Sequence, residues 1–152
     1  MDDDRFLHLA IEKSRESVSL GGFPVGVIVA RNGKVIGSGT SDGEKSHDPA
    51  GHAEMKAIRE TCKKLKSNQL KDAVLYSSLE PCMMCYSASI WAAISRIVYA
   101  CGRDRVSADY YEGKHNFVSL NKSARKPLEL LHVSELEEKA LKIITEWENK
   151  NT

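Results

Sequence analysis

His52 and Glu54 stand one residue apart in HDPAGHAEM, and Cys82 and Cys85 three apart in LEPCMMC. Thiolate and imidazole are side chains that zinc prefers. Two cysteines and one histidine give three ligands for a tetrahedral Zn2+ and leave a fourth position for water, as a catalytic ion requires. Two thiolates cancel the charge of the ion, so the metal alone acidifies that water less than an all-histidine site would. A neighbouring base is needed, and Glu54 is placed to be it. Each half of the pattern is weak by itself, because a His-x-Glu pair often decorates a helix surface and a lone C-x-x-C is often structural or redox-active. Together, in this order, they carry the reading. A closed alternative also exists. His47 and His52 are spaced H-x4-H, and with Cys82 and Cys85 they would make a structural Cys2His2 site. That arrangement leaves Glu54 idle and draws one ligand from the loop before Asp48-Pro49.

These side chains need elements to hold them. Apolar Phe6, Leu7, Ala10, Ile11 and Val18 recur at helical spacing over residues 2–20, and Gly21-Gly22 ends that helix. FPVGVIVARNGKVIGSGT reads as a hairpin about the Asn32-Gly33 turn. Met55, Ala57, Ile58, Cys62 and Leu65 predict a helix over residues 50–66 with His52 and Glu54 at its start. Residues 72–80 read as a strand. Pro81 then fits a helix first turn and leads into CMMCYSASIWAAI. The positive end of that helix lowers thiol pKa values toward the thiolate a metal needs. Residues 95–102 and 126–133 read as further strands, and 134–147 as a closing helix with a capping box from Ser134 to Glu137. The stretch between these last strands, within residues 102–126, shows no period. Strands separated by helices imply parallel pairs covered on both faces, and the hairpin adds an antiparallel pair, so the sheet should be mixed.

Composition narrows the class. A chain of 152 residues, 41% hydrophobic, can bury one good core, and a single domain over 1–152 is expected. With 22 basic against 21 acidic residues, no global field draws it to nucleic acid. The acidic start MDDDRFLHLA lacks a secretory pattern, and no apolar run is long enough to cross a bilayer, so a cytoplasmic address without membrane contact is expected. Cys62 and Cys101 read as small core residues, and His8, His115 and His132 as structural or surface groups.

H-x-E followed by P-C-x-x-C is the zinc deaminase pattern. HAE with PCMMC resembles the cytidine deaminase superfamily, and the longer DPAGHAEM and LEPCMMC resemble its branch of cytosine, guanine and tRNA adenosine deaminases. The resemblance runs from about Arg5 to Cys101 and fits the whole length. It implies an α/β fold, a three-layer α/β/α sandwich with a five-stranded mixed sheet, a bound Zn2+, a homodimer, and hydrolytic loss of ammonia from an aminated heterocycle. By position it makes His52, Cys82 and Cys85 the metal ligands and Glu54 the proton shuttle. Backbone N–H groups at the start of the Cys82 helix would then stabilise negative charge developing on the substrate.

For the substrate, Phe23, Trp91, Tyr110 and Tyr111 are candidates to stack on a ring, and Asp109 or Glu112 to accept its N–H groups. Core packing is the plain alternative for Trp91, which lies at helical spacing from Ala88 and Ile94. Ser41 and Asp42 stand in the loop where the branch usually has an asparagine that contacts substrate. SIWAA and ADYYE are similar to the guanine deaminase pattern, whereas FPVG is more like the cytosine and tRNA enzymes. The expected substrate is thus a guanine-like base or nucleoside, then cytosine. A tRNA adenosine deaminase is the alternative and would want a basic tail, which ELEEKALKIITEWENKNT does not supply, so RNA is not the expected partner. A zinc-stabilised module without catalysis is the third reading, against which Glu54 stands. Guanine deaminases of this type lend a C-terminal aromatic segment to a neighbour. No aromatic follows Trp147 here, so no such exchange is expected.

Overall fold

Two runs, Val74–Leu79 and Arg96–Cys101, are buried along nearly their whole length. A strand hidden on both faces needs cover on both, which leads to a three-layer architecture. In the computed structural model, which describes residues 2–152, the first half runs α1 (Asp2–Ser19), β1 (Gly26–Arg31), β2 (Lys34–Thr40), α2 (Ala53–Leu65) and β3 (Val74–Leu79). The second half continues α3 (Met83–Trp91), β4 (Arg96–Cys101), α4 (Phe117–Lys122), β5 (Glu129–His132) and α5 (Glu137–Lys150). The strands form a five-stranded mixed sheet in the order β2-β1-β3-β4-β5. β1 is antiparallel to β2 and β3, whereas β3–β4 and β4–β5 are parallel. α1 and α5 pack together over one face, and α2 and α3 over the other. This is the three-layer sandwich expected.

The hairpin turns at Asn32 and Gly33, both with positive φ (53° and 75°), the backbone that a two-residue turn between twisted strands demands. Phe6, Leu7, Ala10 and Ile11 of α1 are buried in one core with Val27 and Val29 of β1. On the other face, α2 lies so close to β2 that a Cβ at Gly39 would collide with the Ala53 carbonyl and the Ala57 amide. Gly39 therefore lets the first turn of α2, and with it His52 and Glu54, sit directly on the sheet.

Two local expectations are corrected. Pro81 precedes the helix and Cys82 is its N-cap residue, so the proline shapes the approach to α3. Ser134 and Glu137 form no capping box. Ser134–Leu136 winds as a 3-10 turn, and the Glu137 carboxylate accepts from the Gly102 amide (2.9 Å) and the Arg105 guanidinium (2.9 Å). A long-range charged pairing has outcompeted the local cap. Residues 102–126, which show no sequence period, hold two 3-10 turns, Arg103–Arg105 and Ala108–Tyr110, and the short α4. Buried Asn121 ties α4 down: its side chain accepts from Tyr86 Oη (2.6 Å) and the Leu128 amide, and donates to the Leu128 carbonyl (2.7 Å). Among the described residues no helix is long and apolar enough to cross a membrane.

Candidate metal centre and active-site cavity

His52 is the N-cap residue of α2 and Cys82 that of α3; neither side chain caps its own helix. Helices favour Ser, Thr, Asp or Asn at that position because the side-chain oxygen satisfies free amides. Here both positions are given to side chains that turn away from the backbone and toward each other. His52 Nδ1 lies 3.5 Å from both Cys82 Sγ and Cys85 Sγ, and the two sulfurs are 3.7 Å apart. Zn–S bonds of about 2.3 Å and a Zn–N bond of about 2.0–2.1 Å at tetrahedral angles would put the sulfurs about 3.8 Å apart and each about 3.5–3.6 Å from the nitrogen. The donor types and their spacings thus fit one tetrahedral zinc ion. His52, Cys82 and Cys85 form the one such cluster among the described residues, and exposed His47 is not part of it. The closed Cys2His2 alternative therefore lacks its fourth ligand.

The two thiols are shifted in opposite directions: Cys85 is pushed up, first by its hydrogen bond with Cys82 and then by burial, and Cys82 is pushed down. Cys82 is pushed down to about 5, first by the hydrogen bond from Cys85 and, against the cost of burial, by His52. His52 is raised, first by its hydrogen bond with Cys82. Glu54, in the first turn of α2 and 5% exposed, is pushed up to about 7, first by burial and then by the Cys82 charge. A carboxyl held there can both take and give a proton near neutral pH.

These groups open into a cavity of about 220 Å³ lined by Phe23, Val25, Ser41, His52, Ala53, Glu54, Leu79, Glu80, Cys82, Tyr110 and Tyr111. Of the residues singled out for substrate, Phe23, Ser41, Tyr110 and Tyr111 are brought to it. Phe23 meets Tyr110 edge-on at 4.8 Å and Trp147 of α5 at 5.2 Å, and Tyr110 Oη donates to Glu148, so α5 backs this wall from within the same chain. Trp91, Asp42 and Asp109 are not brought there. Trp91 ends α3 facing solvent, 82% exposed, because helical rotation places it opposite buried Cys85 and Ser89, so neither stacking nor core packing describes it. Asp42 pairs with Lys56 and lines an outer groove beside the cavity, and Asp109 is exposed on its 3-10 turn. Glu112 accepts from the Met83 and Met84 amides at 3.2 and 3.1 Å. Of the N–H groups at that helix end, the Met83 and Met84 amides are thus engaged by a carboxylate.

Glu80 went unnoticed at the sequence level although it sits within LEPCMMC. It lines the cavity and accepts from the Arg103 amide at 3.1 Å, and its carboxyl is raised by burial. Arg103 was likewise missed as a scaffold. Its guanidinium lies 4.2 Å over the Tyr111 ring and donates to the Gly113 and His115 carbonyls, holding the wall segment in shape.

Residues 1–101 match the family model of the cytidine and deoxycytidylate deaminase zinc-binding region. The chain is 39% identical over 124 residues to the tRNA-specific adenosine deaminase of Buchnera aphidicola subsp. Baizongia pistaciae, covering 82% of this chain and 75% of that one. It is 34% identical over 127 residues to the guanine deaminase of Bacillus subtilis, covering 83% and 81%. The solved structure of guanine deaminase from Nitrosomonas europaea superposes with a TM-score of 0.85 at 24% identity, over 95% of this chain and 83% of that one, a likeness that concerns the fold alone.

Proposed function

We propose, from the premise that this chain belongs to the cytidine and deoxycytidylate deaminase zinc-binding family, that it deaminates a guanine-like purine presented as free base or nucleoside. Zinc-dependent hydrolytic deamination of a purine- or pyrimidine-like heterocycle follows from the family and the His/Cys/Cys cluster; the guanine-like ring is the finer reading. His52, Cys82 and Cys85 would hold the zinc ion, which when bound supplies the Lewis acidity that makes water nucleophilic near neutral pH. Glu54 takes a proton from water, delivers it to a ring nitrogen, and passes a further proton to the departing amine. A C–O bond thereby replaces the C–N bond and ammonia leaves. Ala53 and Leu79 line the cavity beside Glu54 and limit its contact with bulk water.

The observation that carries the reading is the cavity itself. About 220 Å³ beside Glu54 is small against the usual 300–1,000 Å³ of ligand pockets and suits a single ring system between Phe23, Tyr110 and Tyr111. Glu80 adds a carboxylate acceptor, which favours a ring rich in N–H donors, as guanine is. The outer groove that continues from Phe23, Ser41 and His52 carries Glu44 and Asp48 against Lys45, with Asp42 already paired to Lys56, so a phosphate backbone laid there would meet no surplus of positive charge.

The 39% identity with the Buchnera enzyme favours a second reading, deamination of adenosine within tRNA. Ammonia release by the zinc-loaded protein, assayed on guanine, guanosine, cytosine, cytidine, adenine, adenosine and a tRNA anticodon stem-loop, separates the two. Turnover of guanine or guanosine is expected. Release from the stem-loop alone would install the second reading, and silence on every compound would overturn both.

A further inference from the structure

We infer that Glu112 is a positioning residue for the zinc-ligand pair, an inference that rests on the metal-site reading above. A helix start leaves its first N–H groups without partners, and Cys82, as N-cap residue, offers none because its thiol faces His52 and Cys85. Glu112 supplies what Cys82 withholds. Its two carboxylate oxygens each take one amide, Oε1 from Met83 (3.2 Å) and Oε2 from Met84 (3.1 Å), as a bidentate clamp on the positive end of α3. One residue earlier, Tyr111 Oη donates to the Glu80 carbonyl at 2.7 Å. Tyr111 and Glu112 therefore grip the chain on both sides of Pro81–Cys82, before the ligand and after it, and Arg103 stiffens the grip from behind through the Tyr111 ring and the Gly113 carbonyl.

The consequence is a division of labour at the helix start. In an ordinary helix one residue caps the amides. Here the residue at that position is freed for metal, and the cap comes from a residue 28 or more positions later in the chain, in the same segment that walls the cavity. The carboxylate is not among the groups that line the cavity. It fixes the direction in which Cys82 and Cys85 present their sulfurs, as groups just behind metal ligands do.

The test uses the zinc-loaded protein and its cobalt-substituted form. Glu112→Ala should release zinc to a colorimetric chelator about 10–100-fold more readily and shift the thiolate-to-cobalt absorption band. Glu112→Gln, which keeps one acceptor of the same reach, should restore most of both. A mere contribution to folding would lower the melting temperature without moving the cobalt band. Wild-type zinc release and a wild-type band in Glu112→Ala would overturn the inference. Should that variant prove insoluble, Glu112→Asp takes its place, one methylene too short to meet both amides, and an unchanged band there overturns it equally. Failure of the wild-type protein to show any thiolate-to-cobalt band would instead remove the metal-site reading itself.

Discussion

Cys82 and Cys85 follow directly from β3, a central strand buried on both faces, and His52 and Glu54 open a helix seated on the sheet at Gly39. Tyr110, Tyr111 and Glu112, by contrast, belong to a stretch of 3-10 turns with no strand of its own, held by Arg103, by Glu148 and by the amides of α3. The first region gains its precision from backbone ladders and close packing, the second from a handful of side-chain bonds. Reaction chemistry needs donor atoms fixed to a few tenths of an ångström, whereas ring selection tolerates and exploits a wall that differs from one chain to the next.

The largest effect should come from the first region. Glu54→Gln is expected to lower kcat/KM by about 10²–10⁴-fold while zinc content, read by elemental analysis, stays at the wild-type level. Retained activity would detach the chemistry from the sheet-anchored site altogether. Next, Gly39→Ala pushes a methyl group into the Ala53 carbonyl and should cost about 1–3 kcal/mol of stability in urea unfolding. A wild-type midpoint would show that α2 can shift without cost and so weaken the case for rigid seating.

The wall should respond more gently. Tyr110→Phe loses the bond to Glu148 while keeping the ring against Phe23, and a rise in KM of about 2–10-fold with little change in kcat is expected. Trp91→Ala, altered far from the cavity, should leave both constants within twofold, and steady-state kinetics on the two variants side by side sharpens the distinction. The smallest effect lies outside both regions. Hydrogen bonds from Arg96, opposed by burial and aided by Tyr76, hold the Asp3 carboxyl below its ordinary 3.8. A depressed folded value means this stability is present above 3.8 and is lost as pH falls through the lower folded value. Wild type should therefore lose more stability than Asp3→Asn as pH is lowered from about 5 to about 3 in denaturant titrations. Parallel loss in both proteins would show that the pair contributes nothing.

Some of this was legible in the chain and some was not, for reasons that differ by residue. The Asn32-Gly33 turn was legible because its backbone demand is local, and so was the β3–α3 succession, because buried strands read as apolar runs. Ser134 and Glu137 misled because a capping box is also local and a partner 32 residues away, Arg105, took the carboxylate. Trp91 misled because helical spacing gives a face only once the direction of the core is known. Glu80 gave no signal, and Glu112 read as an acceptor for substrate where it is a partner of helix amides, since a carboxylate carries no period and the partners, the Arg103 amide and the Met83 and Met84 amides, lie 23 or more residues away.

The sequence by itself determined the reactive groups: one imidazole, two thiols and one carboxyl at spacings that put each pair at a helix start. Short spacing along a chain is enforced by backbone geometry, so it can be read without the fold. Only the tertiary structure decided that those two starts face each other across 3.5 Å, that Glu54 is buried enough to titrate near 7, and which aromatic rings close the cavity. Each of these depends on desolvation and on contacts between segments far apart in the chain, and neither is set until the sheet has brought those segments together.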